Sequence, residues 1–125
     1  MTDRQIQITA SGVTVIATLN DSPTADLLLD ALPISGRANT WGDEIYFSIP
    51  VSAENDDYAE ETVEMGAVGY WPPGSALCLF FGPTPMSGPG EIRPASAVNI
   101  LGTIEGDPEV LKKVRSGSDI TVELA

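Results

Sequence analysis

From Ala67 to Gly90 the chain runs 24 residues without a charged side chain, yet five prolines and five glycines interrupt it. An uncharged run of that length is long enough for a membrane-spanning helix. Proline in a helix interior, however, costs about 3 kcal/mol, because it removes a backbone donor and clashes with the preceding turn. The segment therefore reads as loop, buried strand, loop. Its strand is Ala76-Leu77-Cys78-Leu79-Phe80-Phe81, bracketed by Pro72-Pro73-Gly74 and Gly82-Pro83. So short a continuous apolar run suits a strand covered on both faces. The rest of the chain has to supply both coverings.

Most of the remainder alternates with period two, the signature of half-buried strands. Ile6 and Ile8 alternate with polar neighbours, Ser11-Gly12 turns the chain, and Val13, Val15, Ala17 and Leu19 share one face of a second strand. Asn20-Asp21-Ser22-Pro23 opens a helix, with Ser22 or Asp21 as its N-cap and Leu27, Leu28, Ala31 and Leu32 as its apolar stripe, and Pro33 stops it. Gly36 to Thr40 reads as a short strand, and Trp41-Gly42-Asp43 as a turn. Ile45, Phe47 and Ile49 then alternate down to Pro50. Six acids between Ala53 and Glu64 repel one another and predict a solvated loop. Thr84 to Arg93 is a Gly/Pro-rich loop, and Ala97 to Ile104 a strand broken by Asn99 and Gly102. Asp107-Pro108 caps a second helix that ends at Gly117, and Ile120, Val122 and Leu124 form the last strand. About eight strands and two helices favour a closed antiparallel barrel, since closure removes exposed edges.

Composition narrows the chemistry. The 125 residues fit one domain, 1–125, and a mean hydropathy of +0.06 allows a packed core. Eighteen acids against six basic residues leave a net charge of −12. That charge opposes nucleic acid and anionic membranes alike. With no histidine and Cys78 the single cysteine, the chain lacks the parts for a His/Cys metal site, an internal disulfide or a histidine relay. No metal or cofactor is expected. The first residues lack the basic and apolar regions of a signal peptide, so a cytoplasmic location with a reduced Cys78 is expected.

Four blocks together carry a resemblance. They are Asn39-Thr40-Trp41-Gly42-Asp43-Glu44-Ile45-Tyr46-Phe47, Gly69-Tyr70-Trp71-Pro72-Pro73-Gly74, Leu79-Phe80-Phe81-Gly82-Pro83-Thr84-Pro85 and Pro94-Ala95-Ser96-Ala97-Val98-Asn99. In this order and spacing they resemble the short prokaryotic cyclophilin-like proteins. The resemblance implies a mainly β fold, an eight-stranded barrel capped by two short helices. True cyclophilins are peptidyl-prolyl isomerases whose catalytic set includes a Phe-His-Arg type strand and a histidine. Here the corresponding block is Arg37-Ala38-Asn39-Thr40-Trp41, and histidine is absent. Fold and activity are separable in any case.

The expectation is a domain that binds a peptide or small molecule, as a monomer or weak homo-oligomer. The recess is expected among Trp41, Glu44, Tyr46, Trp71, Phe81, Met86 and Arg93. Tryptophans beside turns line recesses because their indole N–H needs a partner while the ring stays apolar. Arg93 and Arg37 are candidate forks for a carbonyl or carboxylate, set against surface ion pairs as the plainer role. Asn99, a polar break in an apolar strand, is expected to pair strands or brace a turn through its amide, set against contact with a ligand. The alternative activity is a non-classical prolyl isomerase combining the aromatic pocket with an arginine, and a third reading uses the uncharged Ala67–Gly90 surface as an interface.

Overall fold

The computed structural model describes residues 4–125. The chain opens with the hairpin of β1 (Gln5–Ala10) and β2 (Val13–Leu19), where Ala10 faces Val13 across a two-residue turn. Ser11 and Gly12 both have positive φ, at 51° and 77°, the geometry whose twist matches the flanking strands. Helix α1 (Pro23–Ala31) follows, with Ser22 Oγ accepting from the Ala25 N–H and Pro23 at its first position. It buries Thr24, Ala25 and Leu28, whereas Leu27, expected in the apolar stripe, is 43% exposed.

The remaining strands are β3 (Ile34–Arg37), β4 (Asn39–Thr40), β5 (Glu44–Ser48), β6 (Ala59–Glu60), β7 (Ala67–Trp71), β8 (Ala76–Phe80), β9 (Val98–Ile104) and β10 (Asp119–Leu124). They form one antiparallel sheet in the order β3-β10-β1-β2-β9-β7-β8-β5-β4, with β6 paired to β9. Among the described residues the count is ten rather than the expected eight. Strand β7 lies inside the segment expected to be loop, and β6 lies inside the acidic segment. The second helix is a 3-10 helix, Pro108–Lys113, rather than an α-helix reaching Gly117. It buries Leu111, and Val114, buried just past its end, closes it with its N–H donating to the Leu111 carbonyl.

The closed barrel requires correction. Hydrogen-bonded ladders do not close the sheet: its path ends at β3 on one side and β4 on the other. Those two end strands are consecutive in the chain, separated by Ala38 alone. One residue is too short for a hairpin, so the backbone runs straight on from one end of the sheet to the other. Ala38 is fully buried and bonds to the approach to β10, through its N–H to the Ser118 carbonyl and its carbonyl from the Gly117 N–H. Side chains replace a ladder at this seam. A Cβ on Gly36 would lie 3.1 Å from the Phe47 ring, so the ring packs against the bare backbone of β3.

Coiling of the sheet creates two apolar layers. The inner core holds Ile6, Ile8, Val15, Ile45, Phe47, Leu77, Leu79, Leu101, Ile120 and Val122. A smaller outer layer, Ala67, Ala76, Cys78, Phe80, Ile92 and Val98, sits on the opposite face of β7, β8 and β9, beneath the loop that follows Phe81. Strand β8 alternates between them and is buried at every position, as its unbroken apolar sequence predicts. None of the described helices is long and apolar enough to cross a membrane.

Candidate functional site

Strand alternation decides which side chains reach the outer face. On β5, Ile45 and Phe47 point into the inner core, so Glu44 and Tyr46 point the other way. Their partners in register are Phe80 and Cys78 of β8, which belong to the outer layer. Trp71 ends β7 on the same side and Val98 begins β9 there. The turn before β5 folds Trp41 over the end, with the Trp41 N–H donating to the Glu44 carbonyl at 2.9 Å. Gly42 makes that turn possible. Its φ is +62°, and a Cβ there would meet the Pro83 carbonyl oxygen at 2.9 Å.

These side chains enclose a recess of about 290 Å³ lined by Trp41, Glu44, Tyr46, Trp71, Pro94, Ala95 and Val98. The three aromatic residues are half-buried, with part of each ring open. Trp71 is held by its indole N–H, which donates to Ser96 Oγ at 2.7 Å. Glu44 is 5% exposed, and its Oε1 has no hydrogen-bond partner. The thiol beside it is a weak donor with one hydrogen, and the Ala76 carbonyl competes for that hydrogen at 3.9 Å. Burial therefore raises the Glu44 pKa to about 7, opposed only in part by Cys78. Burial, followed by the Glu44 charge, pushes the Cys78 thiol well up, so this cysteine is no nucleophile.

Four of the seven residues expected at the site meet in this recess: Trp41, Glu44, Tyr46 and Trp71. The other three do not join them. Phe81, 3% exposed, packs in the inner core. Met86 and Arg93 line a separate depression of about 240 Å³ with Glu61, reached across Pro94 and Ala95, which border both. Arg93 Nε donates to Glu91 Oε2 at 2.9 Å, and Arg93 Nη1 lies 4.0 Å from Glu61 Oε1. The guanidinium holds the Glu91 carboxyl below its ordinary range. Arg37 is exposed at the end of β3, 3.8 Å from Asp119, and does not line the recess. Both arginines have thus taken the surface-pair role.

Sequence reasoning missed Pro94, Ala95 and Val98 as lining and Ser96 as the partner of Trp71. The loop carrying the first two is tied down by hydrogen bonds that composition does not reveal. Thr84 Oγ1 bonds to the Arg93 carbonyl, while the Thr84 and Arg93 N–H groups both donate to Ser87 Oγ, at 2.9 and 3.0 Å. Asn99 has the bracing role expected of it. Its amide donates to Thr24 Oγ1 and to the Glu54 carbonyl, and accepts from Asn55 and from the Asp56 N–H. A wider groove of about 520 Å³ beside β9, lined by Glu60, Thr62, Glu64, Met65 and Thr103 among others, has no aromatic wall.

The cyclophilin-like family model matches residues 4–123. The chain belongs to the cyclophilin-like family. Among solved structures, this cyclophilin-like chain is similar to the hypothetical protein AF2241 from Archaeoglobus fulgidus, known from a solution structure. The two are 42% identical with a TM-score of 0.83, over 98% of this chain and 95% of that one. McbB, described in complex with tryptophan, is 19% identical with a TM-score of 0.72, over 94% of this chain and 44% of McbB. At that identity the likeness to McbB is one of fold. No curated protein matches the sequence.

Proposed function

We propose that this cyclophilin-like domain binds a small molecule, or one side chain of a peptide, in the recess walled by Trp41, Tyr46 and Trp71. The observation that carries this reading is the Glu44 carboxyl. An apolar recess with one buried, unpartnered polar group is the pattern of a ligand site, with apolar walls for affinity and a single polar atom for orientation. A buried polar atom left without a partner costs about 1–3 kcal/mol, and a ligand donor meeting the Glu44 carboxyl where it lines the recess offsets part of that cost. Prolyl isomerisation is the weaker reading, because Arg93, which it would use, is engaged by Glu91 and Glu61 outside the recess.

Intrinsic fluorescence is a direct assay, since Trp41 and Trp71 are the chain's two tryptophans. A library of small molecules and short peptides is expected to yield ligands that shift the emission saturably. Trp71→Ala should weaken them at least about tenfold, the loss of one aromatic wall, and Arg93→Ala should leave them unchanged. Ligands indifferent to Trp71→Ala refute the assignment.

A further inference from the structure

The geometry points to the chemical class of ligand: the recess is built for an organic cation, an alkylated ammonium group seated against Trp41, Tyr46 and Trp71 with the Glu44 carboxylate as its counter-ion. This inference rests on the proposed recess and names what enters it. Aromatic faces are electron-rich, and several around one cavity attract a weakly hydrated cation, at about 0.5–2 kcal/mol each. Glu44, when ionised, adds a full charge to the lining of the same cavity; it is 5% exposed, with Oε1 unpartnered. None of the other lining residues is charged.

Competing ligand classes fit less well. An anion meets an uncompensated carboxylate in a chain of charge −12. A divalent metal ion needs several oxygen ligands, whereas this recess offers one carboxylate, and no acid, cysteine and histidine cluster suitable for a metal is found among the described residues. An unalkylated ammonium loses strong hydration on entering an apolar cavity. Alkylation removes much of that hydration while keeping the charge. Two of the chain's own cations are engaged elsewhere: Arg4 with Asp21 and Asp26, Arg93 with Glu91 and Glu61.

Proton linkage gives a second signature. A cation favours the ionised carboxylate, so binding strengthens as pH rises through the Glu44 titration, with its pKa near 7 in the empty recess. The titratable groups facing Glu44 are the Cys78 thiol from β8 and the Tyr46 phenol from its own strand. Trp71 of β7, Val98 of β9 and the Pro94-Ala95 loop add none.

The test compares choline with 3,3-dimethyl-1-butanol, its uncharged isostere, by fluorescence titration of the whole chain. At about pH 8 choline is expected to bind about tenfold more tightly than the isostere. Lowering the pH to about 5 should weaken choline and leave the isostere unchanged. Glu44→Gln should reduce the preference to what the aromatic faces alone supply and abolish the pH dependence, while Trp71→Ala should weaken both probes. Equal binding of the two probes to the native chain overturns the cation assignment and leaves the recess standing as a neutral-ligand site. Choline binding unchanged by Glu44→Gln also overturns it. A response to neither probe refutes the cation assignment, and the recess itself then fails only if the ligand library is silent too.

Discussion

Glu44 is held at a cost. Its folded pKa of about 7 lies above the ordinary carboxylate value of 4.5. Between those values the unfolded chain has released its proton and the folded chain still holds it, so stability falls as pH rises across that window. Below about pH 4 both states are protonated and the effect disappears. Glu44→Gln should therefore match the native chain at about pH 4 and exceed it by about 1–3 kcal/mol at about pH 8. Urea denaturation at the two values checks this. Equal stability at the higher pH shows that the carboxylate finds a partner when ionised. Glu44 is expected from sequence in the recess with Trp41, but nothing in Asp43-Glu44-Ile45 announces how deeply it is buried. Only the register of β5 on β8 turns it towards Cys78 and under two tryptophans.

At the scale of elements, Asn99 links three that are remote in sequence: α1 through Thr24, the acidic segment through Glu54, Asn55 and Asp56, and β9 itself. Asn99→Ala removes four hydrogen bonds and leaves buried partners behind, for a loss of about 2–4 kcal/mol. Limited proteolysis should then cut first between residues 53 and 60, while α1 and the ladders remain. Uniform loss of protection across the chain would show that Asn99 supports the whole fold instead. The acidic segment illustrates what sequence conveys and what it hides. Its charge correctly places Glu54, Asp57, Glu60, Glu61 and Glu64 in solvent. The same charge masks β6, whose two residues pair with β9 through backbone alone. Likewise Ser11-Gly12 and Ser22-Pro23 announce their turn and helix cap by local chemistry, and β8 announces its double burial by an unbroken apolar run. Strand β7 gave no such signal, because Gly69 and the Pro72-Pro73 that follow read as loop.

For the molecule as a whole, the two-layer arrangement places the main core and the candidate recess on opposite faces of the sheet. The inner core holds the large aliphatic residues and Tyr70, whose hydroxyl bonds to the Val51 carbonyl at 2.6 Å. The outer layer holds both tryptophans and the recess. Residues far apart in the chain compose each layer, so the four family blocks reveal the fold while leaving the boundary between layers unread. The seam at Ala38 belongs to this scale as well. Every ladder but that of β6 on β9 lies on a path beginning at β3 and ending at β4, and none joins those two ends, so a chain opened between Arg37 and Asn39 loses none of them. Strands β1 and β10 are neighbours, and the Ala125 N–H donates to the Gln5 carbonyl. A circular permutant opened at Ala38, with its original ends joined by a short flexible linker, should fold with its sheet intact. It should lose about 1–2 kcal/mol, as tethered edges become free ones. Thermal unfolding followed by circular dichroism measures the loss, and a permutant without a cooperative transition contradicts the account. In the native chain the meeting of the two sheet edges is a covalent property. Salt, solvent and heat act on hydrogen bonds and on packing, but the Gly36–Phe47 contact is returned to register by a tether that none of them can loosen.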